Sequence, residues 1–224
     1  ILGSNNHLID TFKHQIKAKF KIKDHGILKY FLGIEFAFSP NSVRISQEHY
    51  CNTILERFKM QNCNPINTPC VVNVFDELRD HKDDPPLPSP TEFQELVGSL
   101  LYLQRVTRPD ISFVVNLLSR HMSAPTQYHW ELGKKVLKYL KGSTKFSLNY
   151  TKTSKLELIG MCDADWDNSV NRKSISSYHF MFSKRNSPVT WRSRKQKQVA
   201  LSTCNAEFVA CLLYTSDAAD ERNS

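Results

Sequence analysis

The stretch GMCDADWDNSVNRKSIS, residues 160–176, sets Asp163, Asp165 and Asp167 at alternate positions behind a short apolar run. In extended chain Asp163 and Asp165 project to the same side. Glu207 lies downstream in STCNAEFVA, on a predicted helix. A carboxylate at a strand end and another on a helix packed against it can share Mg²⁺, which takes hard oxygen ligands. Two such ions about 4 Å apart hydrolyse phosphodiesters. The same residues suit a solvated turn, because Asp and Asn bond readily to nearby backbone. Spacing alone leaves both readings open.

The elements that must position these carboxylates are set by periodicity. After Gly142 the apolar period becomes two, and LELIGMCDA, SISSYHFMFS and SPVTWRS read as three short strands joined by hairpin-sized turns. VALSTCNAEFVACLL then reads as a helix. Upstream, Phe93, Leu96, Val97, Leu100 and Leu101 form an apolar helical stripe, with Ser89, Pro90 and Glu92 as its expected cap and first turn. RPDISFVVNLLSRHMSAP reads as a helix stopped before Pro125, and TQYHWELGKKVLKYLKG as another ended by Gly142. Near the start, Leu8, Phe12, Ile16 and Phe20 mark an amphipathic helix. ILKYFLGIEFAF, with Gly33 inside it, and VRIS read as a hairpin turning at SPNS. QEHYCNTILERFKM reads as a helix with Ile54, Leu55 and Phe58 on its core face. From Asp76 to Pro90 the chain is acidic and carries four prolines, as expected of an exposed, extended linker.

The chain has 224 residues, 40% hydrophobic and 23% charged, as a globular protein does. No apolar run approaches the roughly 20 residues of a membrane span. The chain starts at Ile1 and its first methionine is Met60, so a piece of something longer is expected. The six cysteines form no CxxC pair and have no histidine cluster beside them, which predicts reduced thiols of a cytosolic or nuclear protein and no zinc site. Net charge is +8 and uneven. Residues 171–200 hold eight Lys/Arg and no acid, whereas residues 76–95 hold seven acids and two bases. Such basic patches suit a polyanion partner, most simply nucleic acid, and equally a solvated surface.

IGMCDADWDNSVNRKSISSYHFMF and SPVTWRSRKQKQVALSTCNAEFVA resemble the ribonuclease H domain of copia-type LTR retrotransposon Pol polyproteins. LVGSLLYLQRVTRPDISFVVNLLSRHMSAPTQYHWELGKKVLKYLKG resembles the helical region before that domain. FKIKDHGILKYFLGIEF and ISQEHYCNTILERFKMQNCNPINTP resemble the end of the reverse transcriptase palm and the segment after it. The resemblance is collinear from residue 1 to about 210.

It implies an α+β fold with the C-terminal part of a reverse transcriptase at 1–75, an acidic Pro-rich linker at 76–90 and a helical thumb- or connection-like region at 91–150. A truncated N-terminal part of ribonuclease H, a three-stranded sheet plus helix, occupies 155–210. Asp163 matches the first catalytic aspartate and Glu207 the helix glutamate of a Mg²⁺ site. Tyr30, Phe31, Leu32 and Gly33 match a primer-grip hairpin, and also read as an ordinary apolar hairpin. Nucleic-acid contacts are expected from Lys134, Lys138, Arg172, Lys173, Arg192, Arg194, Lys195 and Lys197. The implied partners are an RNA–DNA hybrid or template-primer and the rest of the Pol polyprotein, with no membrane. The implied location is the cytoplasmic virus-like particle, with the nucleus as a second compartment.

The family's polymerase carries a Tyr-x-Asp-Asp-like motif; the one adjacent aspartate pair here, Asp83-Asp84, sits in the linker. The family's nuclease needs further carboxylates after the glutamate helix, and often has acid where Asn205 stands. This chain is therefore expected to catalyse neither reaction by itself. A domesticated, non-enzymatic nucleic-acid-binding remnant and a small independent nuclease are the alternatives. CLLYTSDAADE, residues 211–221, departs from the family and matches one reading frame of a common sequencing-library transposase adapter, so 211–224 is expected to be a non-native tail.

Overall fold

The computed structural model describes residues 5–166 and 173–220. It is a mixed helix-and-sheet protein with two antiparallel sheets, as the α+β reading expects. Helix α1 (Asn6–Lys19) is capped by the Asn5 side chain, which accepts from the His7 N–H. The first sheet takes strands β1 (Tyr30–Phe31), β2 (Ile34–Ser39) and β3 (Ser42–Ser46). Helix α2 (Glu48–Arg57) comes next, burying Cys51, Ile54 and Leu55.

The expected strand through Gly33 is in fact a hairpin. Phe31 pairs with Ile34, so Leu32 and Gly33 form a two-residue turn with φ of +50° and +77°. That geometry matches the twist of the flanking strands and needs left-handed backbone at both positions. The Tyr102 hydroxyl donates to the Leu32 carbonyl and holds the turn against the helices.

The extended linker is corrected at its start. Helix α3 (Val74–Asp80) occupies it and buries Val74 and Leu78, whose i,i+4 spacing gives even this acidic segment an apolar face. Helix α4 (Thr91–Val106) begins one residue later than a Ser89 cap requires. Pro90 takes the cap position and Ser89 turns its hydroxyl to Thr91. The predicted helix at 108–125 is a 3-10 turn (Pro109–Ile111) leading into a shorter α5 (Ser112–Ser119). Helix α6 (Gln127–Gly142) starts with Thr126 and His129 bonded reciprocally. Phe93, Leu96, Leu100, Leu103, Leu118, Val136, Leu137 and Leu140 are fully buried where α2, α4, α5 and α6 meet. Each such side chain contributes about 1.5–3 kcal/mol relative to exposure.

Inside this core Arg108 is 1% exposed. Its guanidinium donates to the Asp110 carboxylate, to the Ser143 carbonyl and to the Ser143 hydroxyl. Tyr139 and Phe146 flank it at 5.5 and 5.3 Å.

Strand β4 (Ser147–Thr151) was not anticipated, although Phe146, Leu148 and Tyr150 alternate with polar residues. It pairs with β3 to complete the order β1-β2-β3-β4. The second sheet is a meander of β5 (Ile159–Asp165), β6 (Ile175–Met181) and β7 (Thr190–Lys195). The β6–β7 loop lies along β4: the Asn149 N–H donates to Ser187 Oγ, and the Thr151 N–H to Asn186 Oδ1. Trp191 Nε1 donates to the Gln104 carbonyl, anchoring β7 on α4. Helix α7 (Thr203–Asp220) packs on β5 and β6. Among the described residues no helix is long and apolar enough to cross a membrane.

Candidate functional site

The register β5–β6–β7 assigns two faces to the second sheet. Asp163 lies opposite Ser177, itself opposite Ser193; Ala164 lies opposite Ser176, itself opposite Arg194. Side chains alternate, so Asp163 shares a face with Met161, His179 and Trp191, while Cys162 shares the other with Tyr178 and Arg192. Helix α7 covers the Cys162 face, where Cys162 Sγ lies 3.5 Å from Cys211 Sγ. Burial pushes the Cys162 thiol up to about 11, and the Cys211 thiol reinforces the shift. The Asp163 face looks onto the helical unit across a cleft of about 330 Å³ lined by Asp110, Phe113, Met161, Asp163, His179 and Trp191, among others.

The two predicted carboxylates are brought together at the outer edge of β5. The Ala164 N–H donates to Asp163 Oδ1 at 3.0 Å and to Glu207 Oε1 at 3.3 Å. The two oxygens are therefore no farther apart than those two contacts laid end to end. Gln196 fixes the helix that carries Glu207. Its Nε2 donates to the Ala206 carbonyl and to Ser176 Oγ, and its backbone N–H donates to the Ser174 carbonyl. Ala206 and Ala210, fully buried, let α7 approach the sheet closely. Trp166 Nε1 donates to the Ala200 carbonyl, closing the lead-in to the helix over the strand end. Gln196 is the positioning residue that sequence reasoning missed, because it sits inside the basic run WRSRKQKQ.

Asp165 does not join this pair; it lines a separate cavity of about 190 Å³ with Arg79 and Phe113. Asp167 and Arg172 lie outside the described residues. Among the described residues no group of three or more His, Cys, Asp or Glu gathers that could hold a metal. A Mg²⁺ ion is commonly held by one or two carboxylates plus substrate phosphates, and Asp163 and Glu207 are oxygen donors of that chemistry.

The basic residues do not form one edge. Arg192 and Arg194 share the α7 face of the sheet, whereas Lys195 emerges on the opposite face. Lys197 is exposed just beyond β7, and Lys173 is half-buried before β6. Lys134 and Lys138 are on α6, where Lys134 is engaged by Glu131 at 3.0 Å and lies over the Trp130 ring at 5.6 Å. Tyr30, Phe31 and Leu32 are on the other sheet and are 55%, 56% and 70% exposed, with Gly33 completing their turn.

Residues 1–72 match the family described as reverse transcriptase (RNA-dependent DNA polymerase). An uncharacterized mitochondrial protein of Arabidopsis thaliana is 32% identical over 97% of this chain and 88% of its own length. The retrovirus-related Pol polyprotein from transposon RE2 of A. thaliana is 36% identical over 93% of this chain. The chain belongs to the copia-type retrotransposon Pol family. The Pol polyprotein from transposon TNT 1-94 of Nicotiana tabacum is 35% identical over 94% of the chain. The chain spans 14% of the RE2 polyprotein and 16% of the tobacco one. No solved structure matches it.

Proposed function

We propose that residues 155–210 of this Pol-family chain form the carboxylate-bearing wall of a ribonuclease H-type site that meets an RNA–DNA hybrid. Residues 1–75 are read with it as the closing part of a reverse transcriptase. The observation that carries the nuclease reading is the meeting of Asp163 and Glu207 on one edge amide. Asp163 and Glu207 would each lend one oxygen to a Mg²⁺ ion, which supplies positive charge to the oxygens of a phosphodiester. Gln196 acts through Glu207 as a positioning residue, and Arg192 and Arg194 supply phosphate contacts at the side of the sheet. Hydrolysis by the two-ion route needs more carboxylate ligands than the pair that meets among the described residues, so the chain alone is expected to bind the hybrid and leave it intact.

A second reading is a non-enzymatic nucleic-acid binder, favoured by the eight Lys/Arg of residues 171–200. One set of measurements separates the two. Mn²⁺ binding followed by electron paramagnetic resonance, with Mn²⁺ standing in for Mg²⁺, is expected to be lost in Asp163→Asn under the nuclease reading. Unchanged Mn²⁺ binding in that variant sinks it. Cleavage of a labelled hybrid by the wild-type chain refutes the inactivity part. Hybrid affinity should fall steeply with salt if phosphates supply it; a flat salt response removes the basic residues from both readings.

A further inference from the structure

A second cavity, about 430 Å³, opens where four distant parts of the chain meet. Leu78 and Lys82 come from the end of α3 and its following turn, Arg120 and His121 from the end of α5, His129 from α6 and Lys195 from β7. Every ionisable side chain lining it among the described residues is a base: Lys82, Arg120, His121, His129 and Lys195. The floor, Phe75, Leu78 and Leu117, is apolar. The volume lies in the ordinary range of small-ligand sites.

Two side chains here are left incomplete by the protein. His129 is 6% exposed. Its Nδ1 accepts from the Thr126 N–H at 3.0 Å, so the neutral ring carries its proton on Nε2. That buried Nε2 has no partner among the described residues, and a buried donor without an acceptor is costly. Arg120, half-buried, donates from Nη2 to Asn116 Oδ1 at 2.7 Å but has no carboxylate partner among the described residues. His121 stacks on His129 with ring centroids 4.0 Å apart, so the two imidazoles and the guanidinium crowd one spot. Burial and the neighbouring positive charges both disfavour the protonated forms here. Burial lowers the pKa of His121, and Arg120 and Lys195 lower it further. Burial lowers Lys195, and Arg120 and Lys173 add to it. The N-terminus of α6 also faces this point through Thr126, adding the positive end of a 16-residue helix.

We propose that this cavity binds a phosphate group, either inorganic phosphate or a backbone phosphate of a bound nucleic acid. A tetrahedral anion with several acceptor oxygens can take a guanidinium, an ammonium and an imidazole N–H from different directions at once. A bound phosphate ties Lys82, the end of α5, the start of α6 and the end of β7 into one cluster. The site shares Lys195 with the expected basic edge and does not depend on the nuclease reading.

Titration calorimetry of the full chain with inorganic phosphate, against acetate at matched ionic strength, tests it. Phosphate is expected to bind, acetate not, and Arg120→Gln or Lys195→Gln to weaken phosphate about tenfold or more. The wild-type chain gives a readout that needs no variant: phosphate should shift the His129 Nε2 resonance in ¹⁵N spectra. Competition against a short RNA–DNA hybrid separates the sources. Displacement of the hybrid by phosphate from wild type but not from Arg120→Gln assigns the site to a backbone phosphate. Phosphate binding without displacement assigns it to a free phosphate ligand. Absence of both heat and a His129 shift with phosphate overturns the proposal, as does acetate binding equally well.

Discussion

Replacing Asp110 by alanine isolates the contribution of the buried guanidinium that joins α6 to the 3-10 turn. Arg108 is 1% exposed and Asp110 29%. The carboxylate accepts from Arg108 Nε at 3.0 and 3.2 Å, from Nη2 at 2.7 Å and from the Tyr139 hydroxyl at 2.7 Å. Removing one partner of a buried pair typically costs about 3–5 kcal/mol, because the other charge stays buried and uncompensated. Here Ser143 retains two bonds to the guanidinium and Asp110 is partly solvated, so the low end applies, about 3 kcal/mol. For a protein of this size that lowers Tm by roughly 6–12 °C. The double variant Asp110→Ala/Arg108→Met removes both charges and should recover part of the loss. Urea unfolding followed by circular dichroism, with the slope checked for constancy, measures both. A single variant within about 1 kcal/mol of wild type refutes the account, and so does a double variant no more stable than the single.

Acid should destabilise the protein through His129. Burial and the neighbouring His121 lower its folded pKa to about 4, from 6.5 in the unfolded chain. The unfolded chain therefore takes up the proton first as pH falls. The stabilisation is complete above 6.5 and is lost between 6.5 and 4, on the order of 2–3 kcal/mol. Urea titrations at pH values across that window should show this slope, and His129→Gln should flatten it; an unchanged slope in the variant places the effect elsewhere. Gly33→Ala should cost about 1 kcal/mol from its φ of +77° alone, because the added Cβ meets only Tyr102 at ordinary contact distance. Thermal melts measure it, and a variant as stable as wild type removes the turn assignment.

The helical unit was legible because α4 and α6 carry long apolar stripes whose period no short-range accident mimics. The meander was legible from its alternation and turns, whereas the expectation that Asp163 and Glu207 act together came from the family resemblance, since their spacing also suits a solvated turn. Strand β4 was lost because five residues between a helix end and a polar loop carry little periodic signal. Helix α3 was masked by the charge and prolines around Val74 and Leu78. Leu32 in left-handed backbone contradicts its own local preference, and the β1–β2 pairing and the Tyr102 contact, far off in sequence, hold it there. Gln196 and the Arg120–His129 cavity were invisible for a related reason: each is defined by elements that only tertiary packing brings together.

Strand β4 gives up one edge to β3 and the other to the β6–β7 loop. It thus works as a seam that stitches the first sheet to the carboxylate-bearing one. A cut at residue 155 would strip the loop from β4 and bare a row of backbone donors and acceptors. Unpaired edges of that sort invite pairing with other chains. A fragment carrying the C-terminal sheet is therefore expected to need β4 and the hairpin it completes, since separating the two halves carries a solubility penalty as well as a loss of stability.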